Sequence, residues 1–527
     1  MTSPMNMLNL AYFLTRAARL HPEHMAIVHE KGTTDYRSLD QRVGRLAGAL
    51  LGLGLQRGDR VGIVVEIEPR AIECLLAPLR AGLVLVPMNP RLHAGEYAFM
   101  LRKCGAKALL VSRERLDDLL SIRGEVPDVK HVIGLDVSAN QNVIDYEGLL
   151  VDTQAIPDVE ITDDELAWIF FTSGTTGHPK GAMHTHRSLR TMVETQLIES
   201  LPVLRDDRLA VLTPMSHAAG LMVFHEIAGA GTHVFPAFRG FRAEDFYALV
   251  ERHRITKCML VPTMIQRLLD APWPVTRDLS SLCTVMYGAA PMYVERLKEA
   301  LDRFGPIFVG VFAQGEAPLA CTWLPKGEHV VSDEAGTKRL ASVGRESYGV
   351  QVRIVDENDD ILAANATGEI VVRGDLVMQG YWDDPEATRY TLRNGWLHTG
   401  DVGHMDEDHY LYITDRLKDM IIKGGTNIYP REIEEVLYRH PDVREATVFG
   451  IPDADWGETV IAAVALRRDS VGMEDELGAW CVAHLSAFKK PSRFHFVEEL
   501  AKSGYGKILK REVRRTLYPE ITRSIGG

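Results

Sequence analysis

The apolar run Leu166-Ala-Trp-Ile-Phe-Phe171, together with the loop that ends it, constrains the fold of this chain more than any other feature. The run reads as a strand, rich in aromatic and β-branched residues. It stops in Phe171-Thr-Ser-Gly-Thr-Thr-Gly-His-Pro-Lys-Gly181, eleven residues with three glycines, four hydroxyls and one lysine. A strand that opens into such a loop offers flexible backbone N–H groups, hydroxyl donors and a cation to a polyphosphate. The loop departs from the Walker pattern Gly-x-x-x-x-Gly-Lys-[Ser/Thr]. Pro179 falls five residues after Gly174, and Gly181 follows Lys180. A solvated turn is the plainer reading of a bare glycine-rich stretch, so the rest of the chain has to decide.

Strand-like runs alternate with helical patterns over most of the length, which predicts layered α/β architecture. Residues 60–65 read as a strand and 69–82 as a helix; 108–112 and 132–135 are shorter strands. Past the loop, 208–213, 258–262, 283–287 and 307–312 each end in a turn-prone segment. Open α/β sheets bind ligands outside the carboxyl ends of their strands. Near residue 350 the pattern changes: 352–355 and 368–373 alternate across a Gly- and Asp-rich connection, predicting a small antiparallel sheet or barrel. Beyond Asp415 come a charged helix at 431–439 and strand-like runs at 446–449 and 460–464.

Composition narrows the partners. Acidic residues outnumber basic ones 72 to 59, a net charge of −13. Nucleic acid is therefore a poor main partner, because phosphate-backbone affinity comes from Lys and Arg. The six cysteines show no metal-ligand spacing and read as reduced core thiols. The N-terminus lacks a secretory pattern, and no run approaches the 18 apolar residues of a membrane span. A cytoplasmic enzyme with no membrane span is expected; its oligomeric state stays open, a homodimer included.

Further motifs follow in order: Phe312-Ala-Gln-Gly-Glu316, Gly395-Trp-Leu-His-Thr-Gly-Asp401, Asp415-Arg-Leu-Lys-Asp419 and Lys502-Ser-Gly-Tyr-Gly-Lys507-Ile-Leu-Lys510. With the 171–181 loop, they resemble the signatures of the adenylate-forming superfamily, in its fatty-acid and aryl-acid CoA ligase branch. That resemblance implies an ATP site. Thr172, Ser173, Gly174, Thr175, Thr176, Gly177 and Lys180 would meet phosphates. Gly288, Ala289, Ala290, Phe312, Ala313, Gln314, Gly315 and Ile413 would surround the nucleotide, with adenine stacked near Phe312. Asp401 and Arg416 would hold the ribose, and Glu316 would ligate magnesium.

Lys507 would place a cation where a carboxylate attacks the α-phosphate, which lowers the barrier between two anions. Lys510, Arg511, Arg514 and Arg515 read as a solvated basic tail. The chain departs from the family's Tyr-Gly-x-Thr-Glu at Phe312, Ala313 and Gly315, and from its last motif at Ala501. Gly315 matters most, because it removes a hydroxyl expected at the phosphates; Thr172 or backbone N–H groups are the candidate substitutes.

Thr213-Pro-Met-Ser-His217 resembles the segment with a gating aromatic, assigned here to His217. Ala218 stands where amino-acid-activating relatives carry an Asp, and a buried ammonium left unpaired is costly. Small residues at 288–290 and 310 are expected to leave room for a flat ring or an alkyl chain. The implied substrate is an apolar monocarboxylic acid, either a medium- to long-chain fatty acid or an aryl acid. For coenzyme A, Gly424 and Gly425 would line a thiol tunnel, and Phe488 and Lys490 would meet the nucleotide end.

The resemblance implies a large N-terminal domain, residues 1–417, of layered α/β sheets plus a small β-barrel-like subdomain. A small mobile α+β C-terminal domain, 418–527, would hinge at Lys418. It implies acyl-CoA synthesis from acid, ATP and CoA through an acyl-adenylate, releasing AMP and pyrophosphate. Rival readings are a ligase that loads a carrier protein, a luciferase-like oxidase, a non-catalytic acyl-binding paralogue and a phosphotransfer enzyme.

Overall fold

A computed structural model describes residues 9–172, 179–424, 426–467, 473–502 and 508–520. Its described strands form four sheets. The first runs from Arg345–Glu346 through Ala317–Leu324, Phe308–Gln314, Thr284–Tyr287, Lys257–Leu260, Arg208–Ala210, Thr232–Val234 and Met25–His29 to Gly32–Asp35. Its centre is parallel, and antiparallel strands close both edges. The second orders Ile144–Asp145, His131–Leu135, Ala108–Ser112, Arg60–Val64, Val84–Pro87, Leu166–Thr172 and Lys180–Thr185. Only its last pair is antiparallel.

The two large sheets share one apolar core. Ile27, Leu209 and Phe312 from the first join Val61, Leu85 and Trp168 from the second. Helix Arg70–Arg80 lies in that core with every residue from Ala71 onward buried, as a helix apolar on most faces requires. The strand expected over 208–213 stops at Ala210. Pro214 explains part of this: it has no N–H to donate to a ladder.

The third sheet is antiparallel and curls into a half-barrel, from Val350–Val355 and Gly368–Gly374 to Trp396–Met405, with Leu392–Arg393 and Leu411–Arg416 both on the last of these. The fourth draws only on residues after 420: Thr426–Ile428, Ile421–Lys423, Gly457–Leu466 and Val443–Asp453, with Arg493–Phe496 parallel to the third of these. Helices Pro430–Tyr438 and Glu474–His484 pack into its own apolar cluster. The six cysteines are free, five of them buried. Among the described residues, no helix is long and apolar enough to cross a membrane.

Candidate active site

Strand Leu166–Thr172 turns back as Lys180–Thr185, with Thr172 paired to Lys180 and Phe171 to Gly181. The glycine-rich segment therefore joins two antiparallel strands, and its ends have a fixed register. Ser173, Gly174, Thr175, Thr176 and Gly177 lie outside the described residues. The Lys180 ammonium sits 5.2 Å from the centroid of the Tyr381 ring, an attraction between a cation and the ring's negative face.

The turn between Phe308–Gln314 and Ala317–Leu324 carries Glu316. Thr172 donates its hydroxyl to Glu316 Oε1 at 3.0 Å, and the Tyr381 phenol donates to the same oxygen at 2.7 Å. Among the described residues, Oε2 receives no hydrogen bond, so one carboxylate oxygen remains for a hard cation. No cluster of three or more His, Cys, Asp or Glu side chains fit to hold a metal occurs among the described residues.

Gly315 is there for space. A Cβ on it would meet Thr172 Cγ2 at 2.2 Å and Phe170 Cδ1 at 3.0 Å. The room that a threonine at 315 needs is filled by Thr172, which also supplies a hydroxyl to Glu316. His184 fixes the turn from below, with Nε2 2.7 Å from the Gly315 carbonyl. Burial lowers its pKa to about 4, so the ring is neutral and Nε2–H donates.

Asp401 and Arg416 face each other across paired strands. Arg416 Nε lies 3.1 Å from Asp401 Oδ1, while Gln314 donates to Oδ2 at 2.6 Å and to the Thr399 carbonyl at 3.0 Å. The buried carboxylate is thus held by two donors from different sheets. It lines a cavity of about 260 Å³ together with Phe312, Ala313, Ile413 and Arg416. Ala289 and Ala290 line it too, Ala289 with φ at 65° in the left-handed region.

The room expected at 288 and 310 is already taken. A Cβ on Gly288 would lie 2.7 Å from the Val311 carbonyl, and one on Gly310 would lie 2.8 Å from the Tyr287 hydroxyl. These two glycines admit neighbouring strands and a tyrosine rather than a ligand.

His217 precedes helix Ala218–Ala228 and meets the Phe170 ring edge-on, with centroids 5.0 Å apart. Ser216 Oγ is 3.0 Å from its Nδ1. Burial lowers its pKa to about 4, so it stands as a neutral ring. Through Phe170 it abuts the Gly315 turn.

Residues after 416 close the cavity from the other side. Glu434, Tyr438, Ile508 and Lys510 line it. Lys507 lies outside the described residues, as does Gly425. Lys418 falls within the single turn Leu417–Asp419 that links the third and fourth sheets.

Lys510 is not the solvated tail residue the sequence suggests. Its ammonium pairs with Glu434 at 3.0 Å. Burial works against its charge, but Glu434, Asp415 and Asp419 outweigh burial and raise its pKa. Gly424 and Phe488 stand away from this cavity but close to each other: Lys423 donates to the Phe488 carbonyl at 3.2 Å. Phe488 is exposed, and Lys490 packs near Gly478. Gly424 has φ at 58°, and a Cβ there would press on the Trp456 ring at 2.8 Å.

Sequence reasoning passed over Tyr381, Lys510 and Glu434. Tyr381 sits in Gly380-Tyr-Trp-Asp-Asp-Pro385, where an aromatic pair before a Pro-led helix marks a fixed turn but names no partner. Only the fold brings it to Glu316.

The profile of the AMP-binding enzyme family matches residues 14–382, and that of the AMP-binding enzyme C-terminal domain matches 432–507. The chain is 35% identical over 510 residues to the medium/long-chain-fatty-acid–CoA ligase FadD8 of Mycobacterium tuberculosis, covering 93% of this chain and 86% of that one. It is 36% identical over 504 residues to a feruloyl-CoA synthase of an Amycolatopsis species, covering 95% and 97%. Among solved structures, the amide bond synthetase McbA of Marinactinospora thermotolerans superposes with a TM-score of 0.88 at 30% identity, covering 96% and 99%.

Proposed function

The chain belongs to the AMP-binding enzyme family, and from that premise we propose that it is an ATP-dependent acyl-CoA synthetase for an apolar carboxylic acid. The single observation that carries this reading is the shared cavity. The Asp401 carboxylate, held by Arg416 and Gln314, faces the same space as Phe312 and as Ile508 and Lys510, one and three positions after Lys507. A nucleoside site and the residues that follow Lys507 in the chain thus meet at one place.

Asp401 accepts the ribose hydroxyls, with Arg416 and Gln314 fixing its orientation. Phe312, Ala289 and Ala290 flank the base. Thr172 and Lys180 hold phosphate oxygens from the ends of the glycine-rich segment. Glu316 Oε2 would hold magnesium, which supplies neutralisation of the triphosphate. His217, neutral and packed on Phe170, walls the acyl end without presenting a charge. Lys507 draws the carboxylate and the α-phosphate together. A carboxylate oxygen attacks the α-phosphorus, the bond to pyrophosphate breaks, and acyl-AMP forms.

The part beyond Lys418 then turns about that residue, withdrawing Lys507 and bringing Gly424 and Gly425 to the acyl-adenylate. A CoA thiolate attacks the acyl carbonyl, and AMP departs with the electron pair. Phe488 and Lys490 meet the nucleotide end of CoA. In this reading the domains divide at 417/418, and the acid is a fatty or aryl monocarboxylate. Relatives named as fatty-acid–CoA ligase and feruloyl-CoA synthase support both acid classes.

The test is a screen of fatty, benzoic and cinnamic acids with ATP, with and without CoA, following AMP, pyrophosphate and thioester. AMP and pyrophosphate in equal amounts, with thioester only when CoA is present, is the expected result. ADP as product, or adenylate that passes only to an amine or a carrier protein, overturns it.

A further inference from the structure

Glu316 and Lys180 carry opposite charges at one end of the site, yet no ion pair joins them among the described residues. Tyr381 touches both. Its hydroxyl donates to Glu316 Oε1 at 2.7 Å, and its ring faces the Lys180 ammonium at 5.2 Å. The side chain is 8% exposed.

The backbone around Tyr381 is tied down on three sides. Residues 379–382 lie along strand Lys180–Thr185: Gln379 N–H donates to the Met183 carbonyl, Met183 N–H to the Gly380 carbonyl, and Trp382 N–H to the Gly181 carbonyl, at 2.7–2.8 Å. Met378 N–H donates to the Glu316 carbonyl at 2.8 Å. Tyr381 N–H donates to Thr388 Oγ1 at 2.9 Å, and the Trp382 indole donates to the Lys103 carbonyl at 3.0 Å. One short segment therefore stitches the strand that follows the phosphate loop to the turn that carries Glu316.

We propose that Tyr381 is a positioning residue that keeps Glu316 and Lys180 apart and aimed. Its hydroxyl, with that of Thr172, occupies Oε1 and leaves Oε2 for a divalent cation; its ring holds the ammonium for phosphate. Without the spacer that touches both, nothing in this contact would keep the carboxylate and the ammonium from pairing, and a pair would be lost to the nucleotide. The inference rests on the nucleotide-binding reading of this site. It adds a residue whose role is to keep cation binding and phosphate binding separate.

The two contacts can be removed one at a time. Tyr381→Phe keeps the ring and loses the hydroxyl; Tyr381→Leu loses both. Binding of α,β-methylene-ATP is measured by isothermal titration calorimetry, with EDTA and with magnesium chloride, with thermal unfolding alongside. We expect Tyr381→Phe to bind the analogue in EDTA within about twofold of the parent and to lose about tenfold of the magnesium-dependent gain. We expect Tyr381→Leu to lose about tenfold in EDTA as well. If the parent binds no analogue in either condition, the nucleotide site itself fails, and this inference with it. If the parent binds with a magnesium gain and Tyr381→Phe matches it, the positioning role is overturned while the site stands. An equal loss in both conditions for Tyr381→Phe means a merely structural tyrosine and also overturns the proposal.

Discussion

Tyr293 stacks on Tyr438 with ring centroids 3.8 Å apart and planes inclined by 22°. Tyr293 precedes helix Val294–Phe304, whereas Tyr438 ends helix Pro430–Tyr438 beside the fourth sheet. Beside the stack, the Tyr293 hydroxyl donates to Glu434 at 3.1 Å and Val294 N–H donates to Glu435 at 3.1 Å. This contact holds the segment bearing Ile508 and Lys510 against the Asp401 cavity.

Tyr293→Ala should therefore loosen the pose in which adenylate forms. A stacked aromatic pair is worth about 0.5–1.5 kcal/mol beyond its buried area, or roughly a 2- to 10-fold change. Pyrophosphate release should fall by that factor, while thioester formation from supplied acyl-AMP holds or rises. Equal slowing of the two half-reactions would show that the contact does not select a pose.

Lys507→Ala should suppress adenylate formation by 100-fold or more, on the order of an oxyanion-type donor's contribution, and spare thioesterification of supplied acyl-AMP. Lys418→Pro should do the reverse by stiffening the turn Leu417–Asp419. The two half-reactions are read by pyrophosphate release and by thioester formation in single turnovers. A Lys507→Ala protein that loses both steps equally sinks the role given to that lysine.

Restoring the family's threonine should harm this protein. Gly315→Thr drives a Cβ into Thr172 Cγ2 and forces that side chain off Glu316. Overpacking of this kind costs about 1–3 kcal/mol. Lower melting temperature and weaker magnesium-dependent nucleotide binding are expected together. A Gly315→Thr protein that is as stable as the parent and faster in adenylation refutes the packing argument.

Acid should destabilise the fold as the pH falls from about 6.5 towards 4. Burial lowers the pKa of His184, His186, His217, His233 and His329 to about 4, and that of His225 to about 3. Their unfolded value is about 6.5. Between those limits the unfolded chain binds more protons, so stability falls as pH drops from about 6.5 towards 4. Each imidazole withdraws about 2 kcal/mol by pH 5. Glu226 acts in the opposite sense. Burial raises it to about 7 although Lys257 pulls it down, so the folded form holds that proton and gains stability as pH falls through the same window. Burial raises Glu68, Glu73, Asp415 and Glu435 in that same sense, but the six imidazoles still leave a net loss. Thermal unfolding at pH 7.5 and pH 5.0 checks the sign; a melting temperature that rises at pH 5.0 contradicts it.

Part of the candidate site was legible in the sequence. Asp401 and Arg416 were legible because each stands in a motif of fixed order, and the Thr172–Lys180 stretch because glycine, hydroxyl and lysine crowd one turn. Space was not legible. Gly288 and Gly310 looked like room for a substrate, but Val311 and Tyr287 fill it. Lys510 looked like one more surface cation, but Glu434, 76 positions earlier, takes it into the cleft.

The order of strands, helices and motifs, and hence the α/β class and the family, came from the sequence alone, because apolar periodicity and turn chemistry are local properties. What needed the tertiary structure was how side chains distant in the sequence meet. Gln314 reaches Asp401, Tyr381 separates Lys180 from Glu316, and Tyr293 meets Tyr438 only once sheets with separate folding patterns are packed together. Local sequence sets which groups are available. Burial and packing set which of them face each other, since a charge taken out of water must find its partner wherever the chain has brought one.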